Sequence, residues 1–146
     1  MHDGQILKVM KSELPAANIK INNIADGALK GLGKVSGNSY DITSAGLSKV
    51  KSHLATFGNV LENTAMIQRL ENALASGRKL EGADASFYLH ELKEADLMVG
   101  GMQYTTAHQA ALDFYEVSNF SVYHPDVIKS LSEIFNDNWF RFWGLK

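Results

Sequence analysis

Apolar residues recur at helical spacing along most of the chain from Tyr40 onward. Positions three and four apart share one face of an α-helix, so this pattern predicts amphipathic helices. Asp41 or Thr43 is suited to cap the first of them, which we expect to run to about Phe57 and to stop at Gly58. The apolar face of this first helix consists of Leu47, Val50, Leu54 and Phe57.

The same spacing predicts further helices, separated by residues that favour helix ends and turns. Gly77 suits the position just after the second helix, Thr105 the N-cap of the fourth, and Pro125 the first position of the fifth. The predicted fold class is therefore mainly α, a single globular helical domain of about five to six helices. The expected spans are 59–76, 83–99, 105–116, a helix that begins at Pro125, and a short final helix over 136–142.

The first third of the sequence is its least regular part. Residues 5–10 and 18–24 suit short strands or brief helices, so the pattern allows a small β element in this third. Glycines punctuate residues 25–39, which we expect to form a loop. The predicted organisation is an irregular lead-in or delivery-linked segment over residues 1–39, followed by a helical domain over residues 40–146.

The composition of the 146-residue chain is that of an ordinary globular protein, with 45% hydrophobic and 21% charged residues. The absence of cysteine excludes disulfides, thiolate chemistry and cysteine-ligated zinc fingers, but it leaves histidine and carboxylate sites open. The net charge is −2, whereas a free-standing nucleic-acid-binding protein usually carries a basic field. An acidic second half suits a basic partner, a metal ion or simple solvation.

The sequence contains no membrane or secretion signal of the usual kinds. No apolar run approaches the roughly 20 residues that span a bilayer. The first residues lack the basic and apolar regions of a secretory signal peptide. We therefore expect either a cytosolic protein or a part of a larger protein that is delivered by other means.

The segment around His90 carries the most noticeable chemistry. On a helix, His90 and Glu94 lie one turn apart on the same side, with Glu91 at its edge. Ionisable groups among large apolar residues are costly to bury unless they are paired or used. Two interpretations stay open: a surface pair worth a few tenths of a kcal/mol, and a buried group that binds a metal ion or tunes an imidazole.

Two more histidines follow at short range. His108 lies on the apolar face of the predicted fourth helix, and His124 stands just before Pro125. Their ordinary roles would be a hydrogen-bonded core histidine and a helix-entry turn residue, and their functional role would be proton transfer. His53 is expected on the surface, on the helix face opposite Leu54.

Four segments resemble a known family of proteins. They read Ser86-Phe-Tyr-Leu-His-Glu-Leu-Lys-Glu-Ala95, Ala107-His-Gln-Ala-Ala-Leu112, Tyr123-His-Pro-Asp-Val-Ile128 and Asn138-Trp-Phe-Arg-Phe-Trp-Gly144. Together they resemble the C-terminal effector domains of bacterial polymorphic toxins, among them contact-dependent growth inhibition and filamentous-haemagglutinin-like proteins. The resemblance extends from about residue 40 to residue 145.

The resemblance implies a toxin domain that a larger secreted or cell-surface protein delivers into the cytoplasm of a target cell. Many domains of this kind are nucleases that cut RNA, often tRNA, and a cognate immunity protein neutralises them. Some of them borrow a host translation factor, which would let a mildly acidic protein reach RNA. The helical pattern of this chain departs from the sheet that is common among such nucleases.

The first functional hypothesis is a ribonuclease that needs no cofactor. Cleavage next to the 2′-hydroxyl of RNA needs a general base, a general acid and a cation for the phosphate charge. Two of three histidines would be base and acid, and a glutamate would orient one of them. The candidate catalytic residues are therefore His90, Glu91, Glu94, His108 and His124. The candidate substrate-binding residues, for phosphate or for stacked bases, are Lys93, Trp139 and Arg141.

Two alternatives stay open beside the ribonuclease. The first is a metal-dependent hydrolase or nuclease, in which His90, Glu94 and either His108 or His124 hold a divalent ion and Glu91 is the general base. The second is a non-enzymatic helical interaction module, whose aromatic tail at residues 139–143 would be exposed and would dock a partner. Loss of activity in EDTA, restored by added metal, distinguishes the hydrolase from the metal-free ribonuclease.

Overall fold

The computed structural model describes residues 30–145. The short elements predicted at residues 5–10 and 18–24 lie outside this part of the chain. The described part contains six α-helices and no strand, and residues Tyr40 and Leu80 form an isolated antiparallel bridge. The helices are α1 (Ser44–Ala55), α2 (Leu61–Ser76), α3 (Gly82–Val99), α4 (Tyr104–Tyr115), α5 (Pro125–Ser130) and α6 (Asp137–Phe142).

The mainly α prediction is confirmed, and local capping explains where several helices begin and end. The Thr43 side chain accepts a hydrogen bond from the Gly46 amide at 2.9 Å and so caps α1. Helix α2 ends at Gly77, whose φ of 71° suits glycine because it lacks a β-carbon. The predicted cap at Thr105 is wrong, since α4 already begins at Tyr104.

Helix α3 is the central element of the fold. Helices α1, α2 and α4 pack against it from different sides. Because it has neighbours around most of its circumference, its buried positions do not form one stripe, and polar side chains lie among them. The buried residues of α3 are Ala83, Asp84, Ala85, Ser86, Phe87, Tyr88, His90, Glu91, Glu94 and Ala95.

Helix α1 comes unusually close to α3 at Gly46. A β-carbon at this position would lie 1.9 Å from the hydroxyl oxygen of the buried Tyr88. Glycine therefore allows the tyrosine ring to lie against the α1 backbone. This close approach sets the spacing of the two helices that carry His53 and His90.

A partly buried ion pair joins α2 to the start of α3. Arg69 donates to both carboxylate oxygens of Asp84, at 2.8 and 3.0 Å. The pairing is bidentate, the geometry in which a guanidinium binds a carboxylate most strongly. It leaves the first turn of α3 with its one acidic side chain satisfied, and it fixes the axial position of α3 relative to α2.

Both ends of the described chain pack onto the core. Leu32 and Val35 are buried, and the Ser118 amide donates to the Gly31 carbonyl at 2.7 Å. The predicted boundary at residue 40 therefore falls within a continuous hydrophobic core. The aromatic tail also packs inward, with Trp143 buried and its indole N–H donating to the Phe120 carbonyl at 3.1 Å.

The interaction-module alternative placed the aromatic tail on the surface, and the structure does not, because the tail packs against the core. None of the four aromatic residues in the tail is exposed.

The sequence also predicted no membrane-spanning segment. Within residues 30–145, no helix is long and apolar enough to cross a bilayer.

Candidate functional site

One buried carboxylate, Glu94 of α3, lies at the centre of three histidines from three helices. Its Oε1 atom is 2.7 Å from Nε2 of His53 on α1. Its Oε2 atom is 3.1 Å from Nε2 of His90 on α3 and 3.0 Å from Nδ1 of His108 on α4. The two oxygens of a single carboxylate thus serve different neighbours.

Glu94 Oε2 and the two imidazole nitrogens next to it form a nearly regular triangle. His90 Nε2 and His108 Nδ1 are 3.2 Å apart, and each is about as far from Glu94 Oε2. Ligand atoms that bind one zinc ion at about 2.1 Å in tetrahedral or octahedral positions stand about 3.0–3.4 Å from one another. Two imidazole nitrogens and one carboxylate oxygen with this spacing are a suitable ligand set for a divalent transition metal.

A second set of potential ligands lies on the other side of the same carboxylate. It comprises His53, Glu91 and Glu94, each of which offers one ligand atom within 4.8 Å of the other two. His53 Nε2 lies 3.5 Å from Glu91 Oε1. Glu94 is the member that the two sets share.

The cluster is deeply buried except on the α4 side. His90 is 1% exposed, Glu94 2% and Glu91 7%, whereas the His108 side chain is 28% exposed. Glu91 Oε1 and His90 Nδ1 have no hydrogen-bond partner within the described residues. Buried polar atoms are nearly always paired in folded proteins, so each of these atoms calls for an explanation such as ion binding or a catalytic role.

The pKa values of Glu91 and Glu94 are shifted in opposite directions. Burial alone would raise the pKa of Glu94, but hydrogen bonds with His108, His53 and His90 outweigh burial and hold its pKa far below the usual value. Burial raises the pKa of Glu91 well above its usual value, and the charge of Glu94 raises it further. Glu94 is therefore the charged centre of the cluster, whereas no hydrogen bond offsets the burial of Glu91 Oε1.

His108 is oriented by a hydrogen bond at its outer nitrogen. Its Nε2 lies 3.1 Å from Asn119 Oδ1 and donates to that carbonyl oxygen. The hydrogen bond with Glu94 raises the pKa of His108, against the effect of burial. With the proton on Nε2, the Nδ1 atom has two possible states. It carries a second proton and pairs with Glu94 as an imidazolium, or it presents a lone pair to a metal ion.

A cavity of about 370 Å³ opens onto the cluster. Its described lining includes two glutamates and two histidines but no lysine or arginine. Burial raises the pKa of Tyr104 and of Tyr123, and the nearby glutamates raise both further, which reflects the negative potential of the cavity. The other lining residues are aromatic, apolar or amide-bearing, and they are Leu54, Phe57, Val60, Asn63, Asn119, Val122 and Trp139.

Of the residues singled out in the sequence, the structure brings His90, Glu91, Glu94 and His108 together. Trp139 also lines the cavity. The other three lie elsewhere.

His124 is outside the cluster: its Nδ1 accepts from the Asp126 amide at 3.0 Å and caps α5. Lys93 Nζ lies 4.1 Å above the centre of the Phe114 ring, away from the cavity lining. Arg141 donates to Asn138 Oδ1 at 3.1 Å in a shallow depression near the chain end. These three residues have local structural partners.

The expectation that His53 lies on the surface is wrong, because the residue is 9% exposed and contacts Glu94. Successive helix residues are rotated by about 100°, so His53 is beside Leu54 rather than opposite to it. His53 also follows Val50 by three positions, and both belong to the buried face of α1. This spacing is the signal that could have placed His53 in the site.

Comparison with known proteins adds no assignment. No protein-family model matches the sequence, and no curated protein or solved structure is significantly similar to it. The resemblance to toxin effector domains stays a prediction. The functional assignment therefore depends on the geometry of the Glu94 cluster.

Proposed function

We propose that this protein is a metal-dependent hydrolase in which His90, Glu94 and His108 hold a divalent ion. The observation that carries the proposal is the triangle of His90 Nε2, Glu94 Oε2 and His108 Nδ1, with sides of 3.0–3.2 Å. Three protein ligands leave coordination positions for water and substrate, which is the usual arrangement in catalytic zinc sites. The cavity gives those positions access from solvent.

The charge distribution favours a cation at this site. Glu91 and Glu94 line a cavity that has no lysine or arginine among its described walls. An anionic substrate such as a phosphodiester would be repelled by the carboxylates alone. A divalent ion would reverse the local charge, polarise the phosphoryl oxygen and lower the pKa of a bound water.

We propose RNA as the substrate. Tyr104, Tyr123 and Trp139 contribute aromatic rings to the cavity wall, and such rings stack on unpaired bases. Asn63 and Asn119 add amide groups in the same wall, which are suited to hydrogen bonds with base edges. The resemblance to toxin nucleases supports the same substrate.

The test of this function is RNA cleavage with and without chelation. Total RNA is incubated with the protein alone, with EDTA, and with EDTA followed by excess Zn²⁺, Mn²⁺ or Mg²⁺. We expect cleavage to be lost in EDTA and restored by at least one of the ions. His108→Ala should lower the rate by more than the roughly 10–100-fold that is typical of losing a residue that only hydrogen-bonds to a metal ligand.

The matched control is His124→Asn, which changes a histidine outside the cluster and keeps a side chain that can cap α5. This variant should cleave RNA at the wild-type rate. RNA that stays intact under every condition, including the addition of bacterial cell extract, would contradict the nuclease assignment. The extract is included because it supplies host translation factors, which some toxin nucleases require.

A metal-free ribonuclease is the second candidate, and one observation favours it. His108 is hydrogen-bonded to Glu94, has a raised pKa and is partly exposed to the cavity, as a general acid would be. His90 would then be the general base, although His90 Nε2 and His108 Nδ1 are only 3.2 Å apart and both contact Glu94 Oε2. Cleavage that persists in EDTA but is abolished by His90→Ala and His108→Ala would select this candidate.

The biological setting is proposed from the sequence resemblance alone. In it, the chain is the toxic end of a larger secreted or cell-surface protein, acts in the cytoplasm of a target cell and is neutralised by an immunity protein. Induced expression in a bacterial cytoplasm tests this setting. We expect growth to stop with the wild-type chain and to continue with His108→Ala at equal protein level. Continued growth with the wild-type chain would argue against a toxin.

A further inference from the structure

We infer that the cluster is a dinuclear metal centre bridged by Glu94, with His53 and Glu91 holding a second divalent ion. This inference rests on the proposed function, because the first ion is the one assigned to His90, Glu94 and His108. From the sequence, Glu91 was expected to be the general base of the metal-dependent alternative, and His53 was expected on the surface. The geometry points to both residues as metal ligands.

The two faces of the Glu94 carboxylate support two ions. Oε2 faces His90 and His108, whereas Oε1 faces His53 at 2.7 Å. A carboxylate that gives one oxygen to each of two ions holds them at the separation of about 3.5–4 Å that is typical of two-metal hydrolytic sites. Both ligand sets are assembled around Glu94 in the same conformation of the chain.

The second ligand set has the composition that a divalent ion requires. His53 Nε2 is 2.7 Å from Glu94 Oε1 and 3.5 Å from Glu91 Oε1. At bond lengths of about 2.1 Å, these separations correspond to ligand–metal–ligand angles of about 80° and 113°, so the His53–Glu94 contact would open by about 0.3 Å to reach the 90° of an octahedral site. Helix α1 supplies the imidazole and helix α3 supplies both carboxylates.

An independent observation at Glu91 also points to a metal ion on this side of Glu94. Its side chain is 9% exposed, and Oε1 has no hydrogen-bond partner within residues 30–145. The unpaired atom belongs to the same set as His53 and Glu94. An ion bound there would give Glu91 Oε1 a direct partner, where it now has only the 3.5 Å contact with His53 Nε2.

Two ions would suit phosphodiester hydrolysis better than one. In a two-metal site, one ion orients and activates the attacking water while the other stabilises the leaving oxygen. Water adds to phosphorus, the P–O bond to the leaving group breaks, and the proton of the water ends in solvent or on the leaving oxygen. Both ions would contact the cavity through the residues that line it, namely His90, Glu91, Glu94 and His108.

The experiment counts bound ions on the intact chain. Protein stripped with EDTA is dialysed against Mn²⁺, freed of excess ion and analysed for manganese per chain by elemental mass spectrometry. Electron paramagnetic resonance of the same sample reports whether the ions are magnetically coupled. We expect two ions per wild-type chain and the spectrum of an exchange-coupled pair.

Two variants locate the second ion. His53→Ala and Glu91→Gln should each bind one ion per chain and give an uncoupled spectrum, whereas His124→Asn should still bind two. Glu91→Gln is nearly isosteric, so it keeps the experiment informative if His53→Ala does not fold, as checked by circular dichroism. Loss of cleavage by Glu91→Gln with two ions still bound would instead identify Glu91 as a general base and overturn its assignment as a ligand.

The outcomes separate this inference from the proposed function. One ion per wild-type chain, lost in His108→Ala, would leave the hydrolase proposal standing and overturn the dinuclear centre. No bound ion would overturn both. Two ions that both persist in His53→Ala and Glu91→Gln would place the second ion elsewhere and contradict the inference.

Discussion

At the residue scale, histidines of identical chemistry occupy two different environments. His53, His90 and His108 share the Glu94 carboxylate, which can accept from protonated rings or share metal ions with them. His124 instead accepts a backbone hydrogen bond at the start of α5, and it can do so only with an unprotonated Nδ1. Its role is therefore structural and depends on the neutral imidazole.

The surroundings of His124 predict a pH dependence of stability. Burial lowers its pKa below 6.5, and Arg69 and Lys129 lower it further, against opposing effects of Asp84 and Asp126. A lowered pKa means that folding favours the neutral ring, so this contribution is present above pH 6.5 and is lost as the pH falls through the folded-state pKa. His124→Asn keeps the cap and does not titrate.

The measurement is urea unfolding of wild type and His124→Asn in EDTA at about pH 7.5 and about pH 5, on either side of the titration. The wild type should lose more stability than the variant on acidification. All other ionisable groups are common to the two proteins, so their effect cancels in the difference. An equal loss in the two proteins would show that His124 is not the titrating group.

At the element scale, helices were predictable and their contacts were not. The apolar spacing over α1 and α2 and the stop at Gly77 are local properties of the sequence, and the structure confirms them. Helix α3 is different, because neighbours on several sides bury its polar residues as well as its apolar ones. Which of those polar residues meet depends on partners in α1 and α4 that are distant in sequence.

The candidate site illustrates the limit. His90 and Glu94 are four positions apart in one helix, so their proximity follows from helical geometry. His108 and His53 reach Glu94 across 14 and 41 positions of sequence, and only tertiary packing sets those contacts. Helix spacing alone would have placed His53 on the buried face, but it would not have named its partner.

The close approach of α1 and α3 predicts a steric coupling between Gly46 and Tyr88. Gly46→Ala adds a β-carbon that meets the Tyr88 hydroxyl, so it should lower the free energy of unfolding by about 1–3 kcal/mol, partly offset by the better helix propensity of alanine. In a Tyr88→Phe background the same change should cost less. A double-mutant cycle from urea unfolding measures the difference, and equal costs in both backgrounds would rule out the contact.

At the scale of the whole molecule, the Glu94 cluster connects three helices that also form much of the core. Leu47 and Val50 of α1 and Leu112 of α4 pack in the same hydrophobic cluster as α3. Leu32 and Val35 belong to it as well, which no local pattern indicated, because the glycine-rich sequence around them predicts a loop. A ligand at the cluster would therefore be linked to global unfolding.

This linkage predicts stabilisation by metal. An ion at 100 times its dissociation constant stabilises the folded state by about 2.7 kcal/mol per site if the unfolded chain does not bind it. Thermal unfolding should therefore shift to higher temperature on adding Mn²⁺ or Zn²⁺ to stripped protein, and EDTA should reverse the shift. His108→Ala should reduce the shift and His124→Asn should retain it. An unchanged midpoint in the wild type at millimolar Mn²⁺ would argue against binding at the cluster.

Glu94 also concentrates the site on one side chain. Replacing any one histidine leaves the carboxylate with two imidazole partners, whereas replacing Glu94 removes the hydrogen-bond partner that all three imidazoles share. A change at Glu94 therefore disconnects side chains of three helices in one step, which no change at a single histidine can do.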